Sequence, residues 1–206
     1  MIDRKLKHLH LIVVVALVAL FITAGCTPKR VTRVGTSEVT DLSGKWNDTD
    51  SRLVSRGMID DVLSRMWLRD YSRKEGRKPR VIVGTVANRS HEHIAVDSFV
   101  KDLERELINS GRISFVASKS ERVELREERE SQQTQSSQET AKRLVQEKAA
   151  DFMLKGAILT ILDELEGTKV KFYQINLELI NIEDNEKVWI GEKKIKKIIK
   201  KGGYGL

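Results

Sequence analysis

The closing third of the chain constrains the fold most. Tyr173, Ile175, Leu177 and Leu179 alternate with Gln174, Asn176, Glu178 and Ile180. A period of two is the pleat of a β-strand with one face buried and the other wet. Neighbouring segments are of the same kind. Phe152 to Leu165 is long and apolar, and Glu166-Gly167-Thr168 supplies a turn after it. Asp184-Asn185 then turns the chain into Val188-Trp189-Ile190. These read as three strands in succession.

The preceding residues alternate helix with strand. Asn47, Asp48 and Thr49 offer N-cap side chains. Val54, Met58, Val62 and Met66 then recur every four residues, with Leu53, Ile59, Leu63 and Trp67 widening the stripe. Glu75-Gly76-Arg77-Lys78-Pro79 breaks that helix, and Arg80 to Val86 is a short apolar run suited to a buried central strand. Ala87 to His93 reads as a polar loop. Val96, Phe99, Val100, Leu103 and Leu107 share one helical face, Asn109-Ser110-Gly111 stops that helix, and Ile113 to Val116 is a second strand. A connection this short predicts a right-handed crossover and a parallel strand pair. Glu121 to Glu130 alternates Glu and Arg at helical spacing, as a solvated helix does. Gln132 to Gln138 reads as a loop or hinge, and Glu139 to Ala150 as a further helix. The order α-β-α-β-α-β-β-β predicts an α/β fold: a two-layer sandwich, its mixed sheet of about five strands covered by helices mainly on one face.

The N-terminus adds a targeting signal. Arg4, Lys5 and Lys7 precede an unbroken apolar run from Leu11 to Ile22, and Thr23-Ala24-Gly25-Cys26 ends it in small residues. Twelve helical residues cover only ~18 Å, against a bilayer core of ~30 Å. The run is therefore expected to be the apolar part of a lipoprotein signal peptide, residues 1–25, with Cys26 as the site of lipid attachment. Thr23 stands where such signals usually carry Leu. Cys26 is the only cysteine, which excludes a disulfide within the chain. Residues 26–44 read as a lipidated tether, 45–201 as the globular α/β domain and 202–206 as a tail. The eighteen residues after the cysteine would span about 25 Å as a coil, and no more than ~60 Å fully extended.

Export changes the meaning of the charge. Without residues 1–25 the net charge falls from +7 to +5, and nucleic acid is not the expected partner outside the cytoplasm. Lys193 to Lys201 holds six lysines. They suit anionic lipid headgroups, acidic wall polymers or an acidic protein face. They equally suit a charged edge strand that discourages association.

Catalytic patterns are missing. His91-Glu92-His93 puts two imidazoles together, but no third or fourth metal ligand accompanies them, and a polar surface loop is the simpler account. No Gly-x-Ser-x-Gly elbow occurs, and the carboxylates fall in Glu/Arg helix runs. Neither metal nor cofactor is expected. Trp67 and Trp189, by their apolar flanks, read as packing residues. Trp46 either staples the incoming chain onto the domain or stands exposed as an interface anchor.

Several segments together resemble a known family. They are Asp41-Leu42-Ser43-Gly44-Lys45-Trp46-Asn47-Asp48-Thr49-Asp50, Val83 to Ser90, Phe99 to Leu103, Leu107 to Gly111, Ala150 to Gly156, and Val188 to Lys193. Their order and spacing are similar to the LpoB-type lipoprotein activators of penicillin-binding proteins, over essentially the whole exported chain. The fold is similar to the TolB N-terminal domain and to the curli-secretion lipoproteins. The resemblance implies a non-catalytic outer-membrane lipoprotein whose domain faces the periplasm. It would bind a bifunctional penicillin-binding protein and stimulate it by contact. Thr27 is not the Asp that marks inner-membrane retention. The tether here is shorter than the long, Pro-rich one of the best-known members.

Expected partner-binding residues are Asn88, Arg89, His91 and His93, with Arg126 and Arg129 as secondary candidates. The alternative is an assembly subunit of an oligomeric envelope or secretion complex, and weak self-association fits either reading. An enzyme acting on wall polymers is disfavoured by the missing acid/base pair.

Overall fold

The computed structural model describes residues 31–135 and 149–200, with side chains through 131 in the first stretch. The signal sequence, Cys26, the end of the expected 132–138 hinge, most of the helix expected over 139–150, and the tail lie outside them. The chain divides into two units, 1–38 and 39–206. In the first, a turn closes with Glu38 N–H donating to the Gly35 carbonyl. The rest concerns the second.

This unit is an α/β fold. Its elements are α1 (Asp48–Ser64), α2 (Met66–Glu75), β1 (Arg80–Arg89), α3 (Val96–Asn109), β2 (Ser114–Phe115), α4 (Lys119–Gln135), β3 (Phe152–Leu165), β4 (Thr168–Asn181) and β5 (Lys187–Lys200). The five-stranded sheet has the order β2-β1-β3-β4-β5. β1 runs parallel to β2 and β3, whereas β3, β4 and β5 are mutually antiparallel. The mixed sheet and the parallel β1–β2 pair agree with the sequence.

The period of two sets the core. Tyr173, Ile175, Leu177 and Leu179 point inward and are buried with Leu154, Ile158 and Trp189. Val54, Met58 and Val62 of α1, and Phe99, Leu103 and Leu107 of α3, cover that face. Burying a side chain of this size stabilises the fold by about 2–3 kcal/mol. The β3–β4 turn, Glu166-Gly167, has positive φ at both residues, 46° and 77°. Such two-residue turns match the twist of a hairpin.

Four boundaries differ from the sequence reading. The first helix is two. Asn47 caps α1 with a reciprocal box, its Oδ1 accepting from Asp50 N–H at 3.1 Å while Asp50 Oδ2 accepts from Asn47 N–H at 3.0 Å. Such a box contributes about 1 kcal/mol. The helix ends at Arg65, where the Trp67 indole donates to the Val62 carbonyl at 2.7 Å. The bend carries Trp67 and Tyr71 onto Phe152 and leaves Met66 and Leu53 exposed. β1 does not stop at Val86. Its last three residues pair with Ala157, Ile158 and Leu159, so Ala87, Asn88 and Arg89 belong to a strand and not to the expected loop. β2 is only two residues long. Finally, α4 continues to Gln135, because extending a formed helix adds one hydrogen bond per residue and Gln is a fair helix former.

Candidate functional site

A bulge in β1 decides which way the candidate residues face. Val83 pairs with Leu154 but Val86 with Gly156, so β1 spends one residue more than β3. An extra residue reverses the alternation. Val81, Val83 and then Val86 face the core, and Asn88 continues that face while Arg89 turns to the other. Arg89 lines a cleft of about 450 Å³ on the face away from α1 and α3, with Thr85, Ala87, Lys155, Gly156 and Glu178 among its walls.

The loop after β1 is self-organised. Asn88 Oδ1 accepts from the Ser90 N–H at 3.0 Å and the Ser90 hydroxyl at 2.6 Å. Its Nδ2 donates to the Glu92 carbonyl at 2.8 Å. The amide of Asn88 thus holds the turn that presents the next residues. His91 N–H donates to Thr160 Oγ1 at 3.0 Å, and its Nδ1 lies 3.0 Å from the same oxygen. That fixes the loop against β3.

Glu92 is the centre of this end. Its carboxylate accepts from the Trp46 N–H at 3.2 Å, the Tyr173 hydroxyl at 2.8 Å and Lys171. Burial pushes its acidity down, but the hydrogen bonds from Lys171, Tyr173 and Trp46 outweigh burial and hold the carboxyl below the usual carboxylate range. Burial, then the bond to Glu92, pushes the Tyr173 phenol up. Trp46 packs edge-on against Phe99 and Tyr173, with centroids at 5.9 and 5.7 Å. Of its two expected roles it takes the staple.

These groups enclose a cleft of about 390 Å³. Lys45 and Trp46 come from the strap before α1, His91, Glu92 and His93 from the loop, Thr160, Ile161 and Leu162 from β3, and Lys169 and Lys171 from β4. Three lysines against one carboxylate make it cationic. Lys169 and Lys171 are paired with Glu164 and Glu92, whereas Lys45 is exposed and has no ion pair among the described residues. His91 and His93 are exposed at its mouth. No group of three His, Cys, Asp or Glu side chains suited to a metal occurs among the described residues.

The structure therefore gathers His91 and His93 into one cleft and sends Arg89 to another. Asn88 positions the loop. Arg126 is exposed and Arg129 half-buried on α4, and neither lines either cleft. Sequence reasoning missed Lys45, Glu92, Lys171 and Tyr173 as a group, because they join segments up to 129 positions apart. It also placed Lys197 in a basic tail. Lys197 is instead half-buried, donating to Asp41 Oδ1 and Asp50 Oδ2 at 2.6 Å each and to the Lys45 carbonyl at 3.1 Å. Burial works against its charge, and the bonds to Asp41 and Asp50 outweigh burial to raise its pKa. With Tyr173 it clamps the strap from Asp41 to Asp50 onto the sheet.

The architecture is a helix-backed mixed sheet with a preformed cationic cleft and an N-terminal strap clamped onto it. The chain matches the family model described as peptidoglycan-synthase activator LpoB over residues 50–195, and it belongs to that family. Its fold is similar to the LpoB C-terminal domain from Salmonella enterica, at 13% identity and TM-score 0.44, covering 72% of this chain and 99% of that one. It is also similar to LpoB of Escherichia coli, at 14% identity and TM-score 0.41, covering 86% and 84%. A third likeness is to the PelC dodecamer from Paraburkholderia phytofirmans, at 15% identity and TM-score 0.36, covering 58% and 73%. No curated protein matches the chain in sequence.

Proposed function

We propose that this chain is a lipid-anchored outer-membrane protein, tethered through Cys26, whose domain binds a bifunctional peptidoglycan synthase and stimulates it by contact. The family match over residues 50–195 carries the reading. The signal pattern ending at Cys26 supports export and lipidation. No helix among the described residues is long and apolar enough to cross a membrane, and this reading places the anchor at the lipid on Cys26. Residues 1–25 are the signal, the following segment the tether, and the domain works in the periplasm without chemistry of its own.

The partner surface in this reading is the Glu92 end, with Lys45, His91 and His93 as contacts and Asn88 as the residue that shapes the loop. Arg89, Arg126 and Arg129 are outlying contacts. Addition of the purified protein to the bifunctional synthase of the same organism tests the proposal. Glycan polymerisation on lipid-linked substrate is expected to rise several-fold and to show saturation. An unchanged rate at saturating protein, with no complex in sedimentation, would overturn it.

A further inference from the structure

β3 outruns its neighbour. β1 ends at Arg89, opposite Leu159, while β3 continues for six more residues, Thr160 to Leu165, paired with β4 alone. No backbone hydrogen bond from another segment reaches these six among the described residues. An unpaired strand edge is a template for another strand. Natural edges are usually short, bulged or covered, yet this one carries Ile161, Leu162 and Leu165 at 62%, 47% and 74% exposure.

The edge opens on the cationic cleft. Thr160 and Leu162 lie on the helix-side face of β3 and Ile161 on the other, as their pairing with Tyr173, Lys171 and Phe172 shows. All three line the cleft, so the cleft wraps around the rim of the strand. A strand added there would send alternate side chains to two different surfaces. One set would meet Lys45, His93 and Lys169 in the cleft. The other would meet Ile161 and, beyond it, Leu165 on the side away from α1 and α3. The first surface selects acidic residues and the second apolar ones.

We propose that the overhang Thr160–Leu165 is a strand-addition site for an extended peptide segment in which acidic and apolar residues alternate. The segment forms a sixth strand beside β3, in the lane past the end of β1, where the post-β1 loop touches the overhang at its first residue through His91 and the Thr160 hydroxyl. Its acidic positions lie over Lys45 and the imidazoles. Asp163 and the Glu164–Lys169 pair, 2.9 Å apart, mark the far end, so the acidic residues of the segment sit toward His91. This gives chemistry to the partner's contact segment, and it rests on the synthase reading only for the partner's identity.

An eight-residue peptide of alternating Val and Glu tests it, with the full chain in detergent and amide hydrogen exchange as the readout. Controls are the Val/Lys peptide and a Val/Glu peptide with a central proline. The Val/Glu peptide is expected to slow exchange within residues 160–165. Lys45→Glu is expected to weaken it at least tenfold, and Ile161→Lys several-fold. The proline peptide should leave exchange unchanged. Equal binding of the Val/Lys peptide, protection confined to other residues, or no binding would each overturn the proposal. So would protection of 160–165 that rises with protein concentration alone, since a second copy would then own the edge. Peptide binding does not involve the synthase, so failure here and failure of the polymerisation assay are separate results.

Discussion

Asp151 and Glu92 lie near opposite ends of β1, and each is a half-buried carboxylate held by a cation, a backbone N–H and a nearby tyrosine. Around Asp151 the grip is bidentate. Arg77 grips both oxygens at 2.7 and 2.8 Å, the Arg80 N–H donates at 2.7 Å, and Tyr71 lies under the guanidinium at 5.3 Å. Backbone bonds from Asp151 to Arg80 and from Ile182 to Asp151 join β1, β3 and the end of β4 there. Around Glu92 the pair is less exposed, with the Lys171 and Glu92 side chains at 13% and 15% against 35% and 18% for Arg77 and Asp151. Lysine replaces arginine, and the carboxylate lines a cleft beside an unpaired strand edge. Planar bidentate pairing fixes the geometry of the Arg77–Asp151 joint, whereas the Lys171 ammonium meets Glu92 as a point charge on a flexible stem. In the proposed reading the same chemistry serves architecture at one end and recognition at the other.

Variants at the two ends should separate these roles. Asp151→Ala is expected to have the largest effect, a loss of about 2–3 kcal/mol in urea unfolding, because it strands the Arg77 guanidinium and the Arg80 N–H. The same residue sets an acid limit. Burial raises its pKa, but the bonds from Arg77, Arg80 and Tyr71 lower it from 3.8 to about 2. A depressed carboxylate stabilises the fold above its unfolded pKa and loses that contribution as pH falls through its folded one. About 2 kcal/mol should therefore disappear between pH 4 and pH 2, and Asp151→Asn should flatten that part of the curve.

Lys197→Met should come next. It removes the clamp on the strap and leaves Asp50 buried without its cation, at a cost of about 2 kcal/mol. Proteolysis near Lys45 should become faster, and the Asp151 end should keep its exchange protection. Tyr173→Phe should lose about 1.5 kcal/mol, the lower end for a hydrogen bond to a charged acceptor, and should raise the Glu92 pKa, visible in carboxylate NMR. Lys45→Glu should have the smallest effect on stability, within about 0.5 kcal/mol as for an exposed side chain. Its effect on partner binding should be large. A destabilised Lys45→Glu variant, or an Asp151→Ala variant as stable as the parent, would break the contrast between the ends.

Much of this was legible in the residues. Alternation at Tyr173–Leu179 placed the core face of β4, and the α3 stripe from Val96 to Leu107 placed its helix. Local signals end where tertiary pairing takes over. Nothing near Ala87 says that β3 offers it a partner edge, so β1 read three residues short. The bulge at Gly84 and Thr85, which sends Asn88 and Arg89 to opposite faces, depends on register between strands about 70 residues apart. Lys197 sits in a run of lysines and looks solvated, and only the fold brings it between Asp41 and Asp50. The family signature from Asp41 to Asp50 was visible as a motif. Its physical reason, a strap clamped by Lys197, Tyr173 and Glu92, was not.

Amide hydrogen exchange of the full chain, alone and in complex with the synthase, tests the division of labour most directly. The account predicts slower exchange at Ser90–His93 and Thr160–Leu165 in the complex, with Arg77–Val81 and Ala150–Leu154 unchanged. Protection centred on Arg77, Arg80 and Asp151, with the Glu92 cleft and the β3 overhang exchanging as before, would contradict it.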